Sequence, residues 1–137
     1  MNKVVNFHTV NKYLLMTFSQ TELNKIGNIV ANHEKLPAKT VVGYYEVHLR
    51  EALSQTPTLS RHANVLRRMY GHFYKKLPHY KRVVIERHIS EYQKGHVTLS
   101  QTLETLRNMT VNIDNMYLAK QSYFLLFSDK KSVWNIF

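Results

Sequence analysis

The chain has no cysteine among its 137 residues. That excludes a disulfide scaffold, thiolate catalysis and any self-contained iron–sulfur or cysteine-type zinc site. Glycine and proline are scarce, at four and three, which argues against an all-β fold with its many turns. Acids are few: nine Asp+Glu stand against 19 Lys+Arg, a formal net charge of +10. No apolar run approaches the roughly 18 residues of a membrane-spanning helix. The opening MNKVVNFHTVNKYLLM lacks the apolar segment and small-residue cleavage site of a secretory signal. The expectation is a soluble cytoplasmic protein, one domain over residues 1–137, that attracts polyanions: RNA, DNA or anionic membrane.

What is present is helical periodicity. Val4, Phe7, Val10, Leu14 and Phe18 recur at three- and four-residue steps and predict a helix over 4–18. Ser19, followed three residues later by Glu22, reads as a capping box opening a helix over 20–34, with Leu23, Ile26, Ile29 and Val30 inward. Gly27 inside it marks a close approach to a neighbour. Leu36-Pro37 breaks the chain before a third helix, 38–54, built on Val42, Tyr45, Leu49, Ala52 and Leu53. A fourth is expected over 59–77, a fifth over 79–94 with Tyr80, Val84, Ile85, Ile89 and Tyr92 inward, and Gly95 closing it. A sixth spans 98–112, and a seventh, capped by Asp114, spans 115–124. The fold class is all-α, a compact single-domain bundle of six to seven helices. In the tail SDKKSVWNIF, Trp134, Ile136 and Phe137 are expected to dock on the core.

The stretch RHANVLRRMYGHFYKKLPHYKR, Arg61–Arg82, is the centre of the functional reading. Ala63, Leu66, Tyr70, Phe73 and Leu77 form its apolar stripe. Arg61, His62, Arg67, Arg68, His72, Lys75 and Lys76 surround that stripe, and Lys81 and Arg82 extend the charge. Cations neutralise phosphates, and interleaved aromatic residues such as Tyr74 can stack on bases. Asn64, Arg67, Arg68 and Gly71 fall on one side of the helix. The plainer alternative is a solvated face over an aromatic core. No RNP sequence or GXXG clamp is present.

Catalytic patterns are missing. No HExxH, P-loop, GxSxG or GxGxxG occurs. Eight histidines show no clear metal spacing, although His8, His62 and His72 could converge in space. Glu46 and Glu51 point about 140° apart around their helix. The reading is no catalytic residue, no metal and no cofactor, and a protein that leans away from being an enzyme.

Four blocks carry a family resemblance: FHTVNKYLLM (7–16), NVLRRMYGHFYKKL (64–77), ISEYQKGHVTL (89–99) and YLAKQSY (117–123). In that order and spacing, over residues 4–125, the chain resembles the YbgA-like domain of unknown function. The resemblance implies a helical domain that elsewhere follows a cysteine-bearing iron–sulfur desulfidase domain, linked to sulfur removal from thiouridine in tRNA, with the helical part gripping the RNA. Standalone members are associated with photolyase genes. The family pattern usually has Pro where Thr98 and Thr102 stand, and Arg where Gln93 stands. It has a Thr-Leu pair in place of Glu104-Thr105 and an Asn-Pro-rich tail in place of Phe124–Asp129.

Three functions follow as expectations. The first is a nucleic-acid-binding module for tRNA or other structured RNA, accessory to thiouridine desulfuration with a desulfidase-type partner. Its contacts are Arg61, His62, Asn64, Arg67, Arg68, His72, Tyr74, Lys75, Lys76, Lys81 and Arg82. The second is a small enzyme or ligand-binding protein with a polar pocket of His8, Lys12, Asn64, Arg68, Tyr117 and Gln121. The third is an interaction protein that dimerises through its aromatic tail.

Overall fold

The computed structural model describes residues 2–127. Eight α-helices run in order: α1 (Asn2–Phe18), α2 (Gln20–Ala31), α3 (Ala38–Leu53), α4 (Leu59–Gly71), α5 (His79–Gln93), α6 (Leu99–Asn112), α7 (Met116–Ala119) and α8 (Ser122–Phe127). There is no strand among the described residues. The fold is all-α. No described helix is long and apolar enough to cross a membrane. The expectation for Trp134, Ile136 and Phe137 concerns the stretch 128–137, outside the described residues.

The arrangement is organised around α1, which packs on α2, α3, α4 and α8. α4 leads to α5 and α5 to α6, and α8 touches both α6 and α1, closing a ring of helices around one core. The sequence of α1 reflects that position. Tyr13, Leu14, Leu15, Met16 and Thr17 are five consecutive buried residues, the pattern of a helix covered on every side. Its N-terminal half is covered on fewer sides. Phe7 is 49% exposed and Val10 38%, so the single stripe expected from the spacing holds only toward the C-terminal end.

Two connections share one construction. At His33–Lys35 and again at Tyr74–Lys76 the chain tightens into a 3₁₀ turn, followed by Leu-Pro and a new α-helix. Leu36 and Leu77 are extended, with ψ of 151° and 141°, as a residue before proline must be. The fourth helix therefore stops at Gly71 instead of continuing to Leu77. The break lets both Phe73 and Leu77 reach the core.

Other expectations shift by one position. In α3 the buried residues are Val41, Tyr45 and Ala52, while Val42 and Leu53 are exposed. In α5 they are Ile85, Ile89 and Tyr92, while Tyr80 is 67% exposed and Val84 also faces outward. In α3 the adjacent valines offer two faces about 100° apart and packing chooses Val41, while in α5 both Val83 and Val84 stay outside.

Ser19 caps α2 by accepting from the Glu22 N–H at 3.1 Å. The Glu22 carboxylate, however, turns to His48 of α3 at 2.5 Å and to Lys25, so the box is half made. The complete capping box is Thr98 with Gln101, at the start of α6. Asp114 does not cap α7. It sits at φ 57°, in the left-handed turn that ends α6, and Asn115 caps α7 by accepting from the Leu118 N–H. The expected seventh helix is two, α7 and α8, with Gln121 between them. Gly95, at φ +80°, closes α5 as expected.

Candidate functional site

A cavity of about 1030 Å³ opens where α1, α2 and α4 meet, with Tyr117 of α7 at its edge. α1 contributes His8, Thr9, Lys12, Tyr13 and Met16, and α2 contributes Gln20, Leu23, Asn24, Gly27 and Asn28. Arg68 comes from α4 and His72 from the residue that caps its C-terminal end. Aromatic packing shapes the α1–α4 side: the Tyr13 ring meets His72 edge-on at 6.0 Å and Tyr117 at 6.5 Å. The Lys12 ammonium lies 5.9 Å from the Tyr13 ring centre.

The electrostatics are one-sided. Lys12 and Arg68 are cationic, and among the described residues the lining contains no Asp or Glu. Burial first, and the Lys12 ammonium second, hold the His8 imidazole below its ordinary range. Burial also pushes the Tyr13 hydroxyl up, as does the neighbouring Tyr117, while Arg68 pulls it back. Three buried polar atoms of this lining have no hydrogen-bond partner among the described residues: His8 Nδ1, Tyr13 OH and Gln20 Oε1. Buried polar groups are normally paired, and these three atoms are closed off from solvent behind the lining.

The basic stretch lies partly on this cavity and partly beside it. Arg61, Asn64, Arg67, Arg68 and Gly71 are exposed on α4, within an arc of about 120° at 100° per residue. Arg61 donates to the Phe18 carbonyl at 2.6 Å, at the negative end of the α1 dipole. Arg67 donates to Gln93 at the end of α5. Arg82 donates to the Leu77 carbonyl at 3.0 Å and stands over the Tyr74 ring at 5.6 Å. These acceptors are neutral. Among the described residues the ion pairs fall on Glu22 and Glu91 alone, so no cation from Arg61 to Arg82 is ion-paired there.

A profile of proteins of unknown function, DUF1722, matches residues 12–128. The chain belongs to the DUF1722 family. This is the YbgA-like family whose motifs the sequence resembles. No curated protein and no solved structure matches the chain significantly.

Within this DUF1722 chain the structure separates the sequence-derived residues into groups. His8, Lys12, Arg68 and Tyr117 line one cavity. Asn64 is exposed on α4 outside that lining. Gln121 lies behind it, buried: its Nε2 donates to the Thr9 carbonyl at 2.7 Å and its Oε1 accepts from the Tyr13 N–H at 3.4 Å. It is a clamp on one rung of α1 and not a ligand contact. His62 is likewise removed from the surface list. It is 7% exposed, stacked on Tyr123 with rings 10° apart, and its Nδ1 is hydrogen-bonded to the Tyr123 hydroxyl at 2.7 Å. Nor does His62 join His8 and His72. Among the described residues no three His, Asp or Glu side chains gather as metal ligands. Lys75, Lys76 and His72 are exposed, and Tyr74, Lys81 and Arg82 are half-buried.

Sequence reasoning missed the α2 wall. Gln20, Asn24 and Asn28 recur every four residues on the side of α2 opposed to its apolar face, a signal as regular as the one that revealed the helix. Gly27 also takes a different meaning. An added Cβ there would meet only His8 Nε2, at 3.9 Å, which is ordinary contact. The glycine borders open cavity and not a tightly packed helix. The departures from the family pattern at Gln93, Thr98 and Thr102 lie outside the cavity lining. Thr98 and Thr102 are absorbed into α6, where Thr102 Oγ1 donates back to the Thr98 carbonyl at 3.0 Å.

Proposed function

We propose that this chain is an RNA-binding module for tRNA or a similarly structured RNA. The observation that carries the reading is the run of exposed cations on α4 and the turn after it, held by neutral acceptors and ion-paired with no described carboxylate. Arginines fixed on carbonyl and amide oxygens are positioned before they meet a phosphate, which lowers the ordering cost of binding. Arg61, Arg67, Arg68, Lys75 and Lys76 contact phosphates in this reading, and Lys81 and Arg82 extend the track. Folded RNA is recognised largely through backbone and shape, so the missing base-reading motif is no obstacle. An RNA partner implies a cytoplasmic setting. Sulfur chemistry, if this RNA is thiolated, belongs to a cysteine-bearing partner protein, since these 137 residues contain no thiol.

The test is a salt titration of binding to tRNA, duplex DNA and single strands. For five to seven phosphate contacts the log–log slope on an RNA is steep, about −0.7 to −0.9 per contact. Replacing Arg67 and Lys75 by Ala should each flatten the slope by about one contact. A slope near zero, or equal affinity for duplex DNA and tRNA, sinks the reading.

A further inference from the structure

We propose that the cavity between α1, α2 and α4 binds a single nucleotide unit, a base with its phosphate, the phosphate against Lys12 and Arg68 and the base edge against Asn24 and Asn28. The lining chemistry divides by helix. The cations stand on α1 and α4, and the amides stand in a row on α2. A ligand that satisfies both walls has an anionic end and a neutral end rich in donors and acceptors. An inorganic anion occupies a fraction of about 1030 Å³ and leaves the amide row unused. A fatty acid or other acyl anion has nothing to offer the amides. Gln20 Nε2 donates to Asn24 Oδ1 at 2.8 Å, which leaves the Asn24 amide donors and both ends of the Asn28 amide for the mixed donor–acceptor pattern of a base edge. Tyr117, partly exposed at the rim, adds an aromatic ring, the kind of group on which bases stack.

A further feature fits that occupant. Gly27 leaves the middle of the amide wall without a side chain, so a planar ring can approach the α2 backbone between Asn24 and Asn28. The proposal does not depend on RNA binding by the α4 surface. The nucleotide can be a free mononucleotide, or one residue turned out of a single-stranded or loop segment of RNA.

The experiment uses the full chain and isothermal titration with UMP, AMP, uridine and inorganic phosphate, followed by a short 5′-phosphorylated RNA. Either mononucleotide is expected to bind at least tenfold more tightly than uridine or phosphate. The double variant Asn24→Ala, Asn28→Ala should weaken mononucleotides about tenfold and leave phosphate unchanged, while Lys12→Ala weakens both. Gly27→Leu fills the cavity from a helical position where a side chain is tolerated, so it should abolish binding while the thermal melt is retained. Mononucleotide binding abolished by Gly27→Leu assigns the site to free nucleotides. No mononucleotide binding, with RNA affinity reduced tenfold by Gly27→Leu, assigns it to a residue of RNA. Phosphate binding as tightly as UMP, or Gly27→Leu binding both ligands like the parent, overturns the proposal. Lys75→Ala with Lys76→Ala should leave mononucleotide binding intact, so failure of the RNA surface and failure of the cavity are separable.

Discussion

His62 carries a histidine's chemistry in a place where only its neutral form fits. Its ring is stacked on Tyr123, meets Phe127 edge-on at 4.9 Å, and shares a hydrogen bond with the Tyr123 hydroxyl. His62→Ala removes a packed ring and leaves that hydroxyl unpaired. The expected loss is about 2–4 kcal/mol, read as a lower urea midpoint at unchanged slope. Burial lowers the His62 pKa, and burial with Lys12 lowers that of His8. The unfolded chain therefore binds protons that the folded chain refuses. The stability these two residues contribute is complete above the ordinary value of 6.5 and is lost as pH falls below it toward the folded values. The urea midpoint should drop between pH 7.5 and pH 5.5, and drop less in His62→Gln. Glu22 acts in a lower window. The His48 contact, against the opposing effect of burial, holds its carboxyl below 4.5, so its contribution is present above that pH and lost beneath it. Glu22→Gln should flatten only that acid limb.

Among the elements, the short C-terminal helices hold the long ones. The segment YLAKQSY places three functions within seven residues: Tyr117 at the cavity edge, Gln121 on the Thr9–Tyr13 rung of α1, and Tyr123 on His62 of α4. Gln121 stands at the break between α7 and α8, with its amide against α1. Gln121→Ala should cost about 1–3 kcal/mol, because two buried hydrogen bonds are lost and no charge is involved. Gln121→Glu keeps the acceptor for Tyr13 but faces the Thr9 carbonyl with an oxygen, so it should be no better than Ala. Thermal denaturation of the two variants beside the parent checks both statements. Since Gln121 also lies beneath Tyr13, either change should loosen the cavity's α1 wall.

For the whole molecule the excess of positive charge is the governing fact. The four described ion pairs involve two carboxylates, Glu22 and Glu91, and two of the four partners are histidines. A net charge of +10 with so little internal compensation repels itself in the compact state. Raising sodium chloride from about 20 to 200 mM shortens the Debye length and should raise the melting temperature by a few degrees. A melting temperature that falls with salt would show instead that local pairs outweigh the global repulsion. A polyanion that binds the folded chain should stabilise it further, by mass action.

The sequence by itself determined the helices, most of their ends and the cationic character of α4. These are local properties: a 3.6-residue period, a Leu-Pro break, a Ser or Thr before the first turn, and the scarcity of acids. It also carried the family, because the motif blocks are linear. Only the tertiary structure decided that Val41 and not Val42 faces the core in α3, that Val83 and Val84 both stay outside in α5, and that α1 is covered on all sides at Tyr13–Thr17. It alone showed that His62 and Gln121 are internal fasteners, and that Gln20, Asn24 and Asn28 face Lys12 and Arg68 across one cavity. Each of these depends on what lies opposite a residue after packing, and a helix's own periodicity names its faces without naming their neighbours.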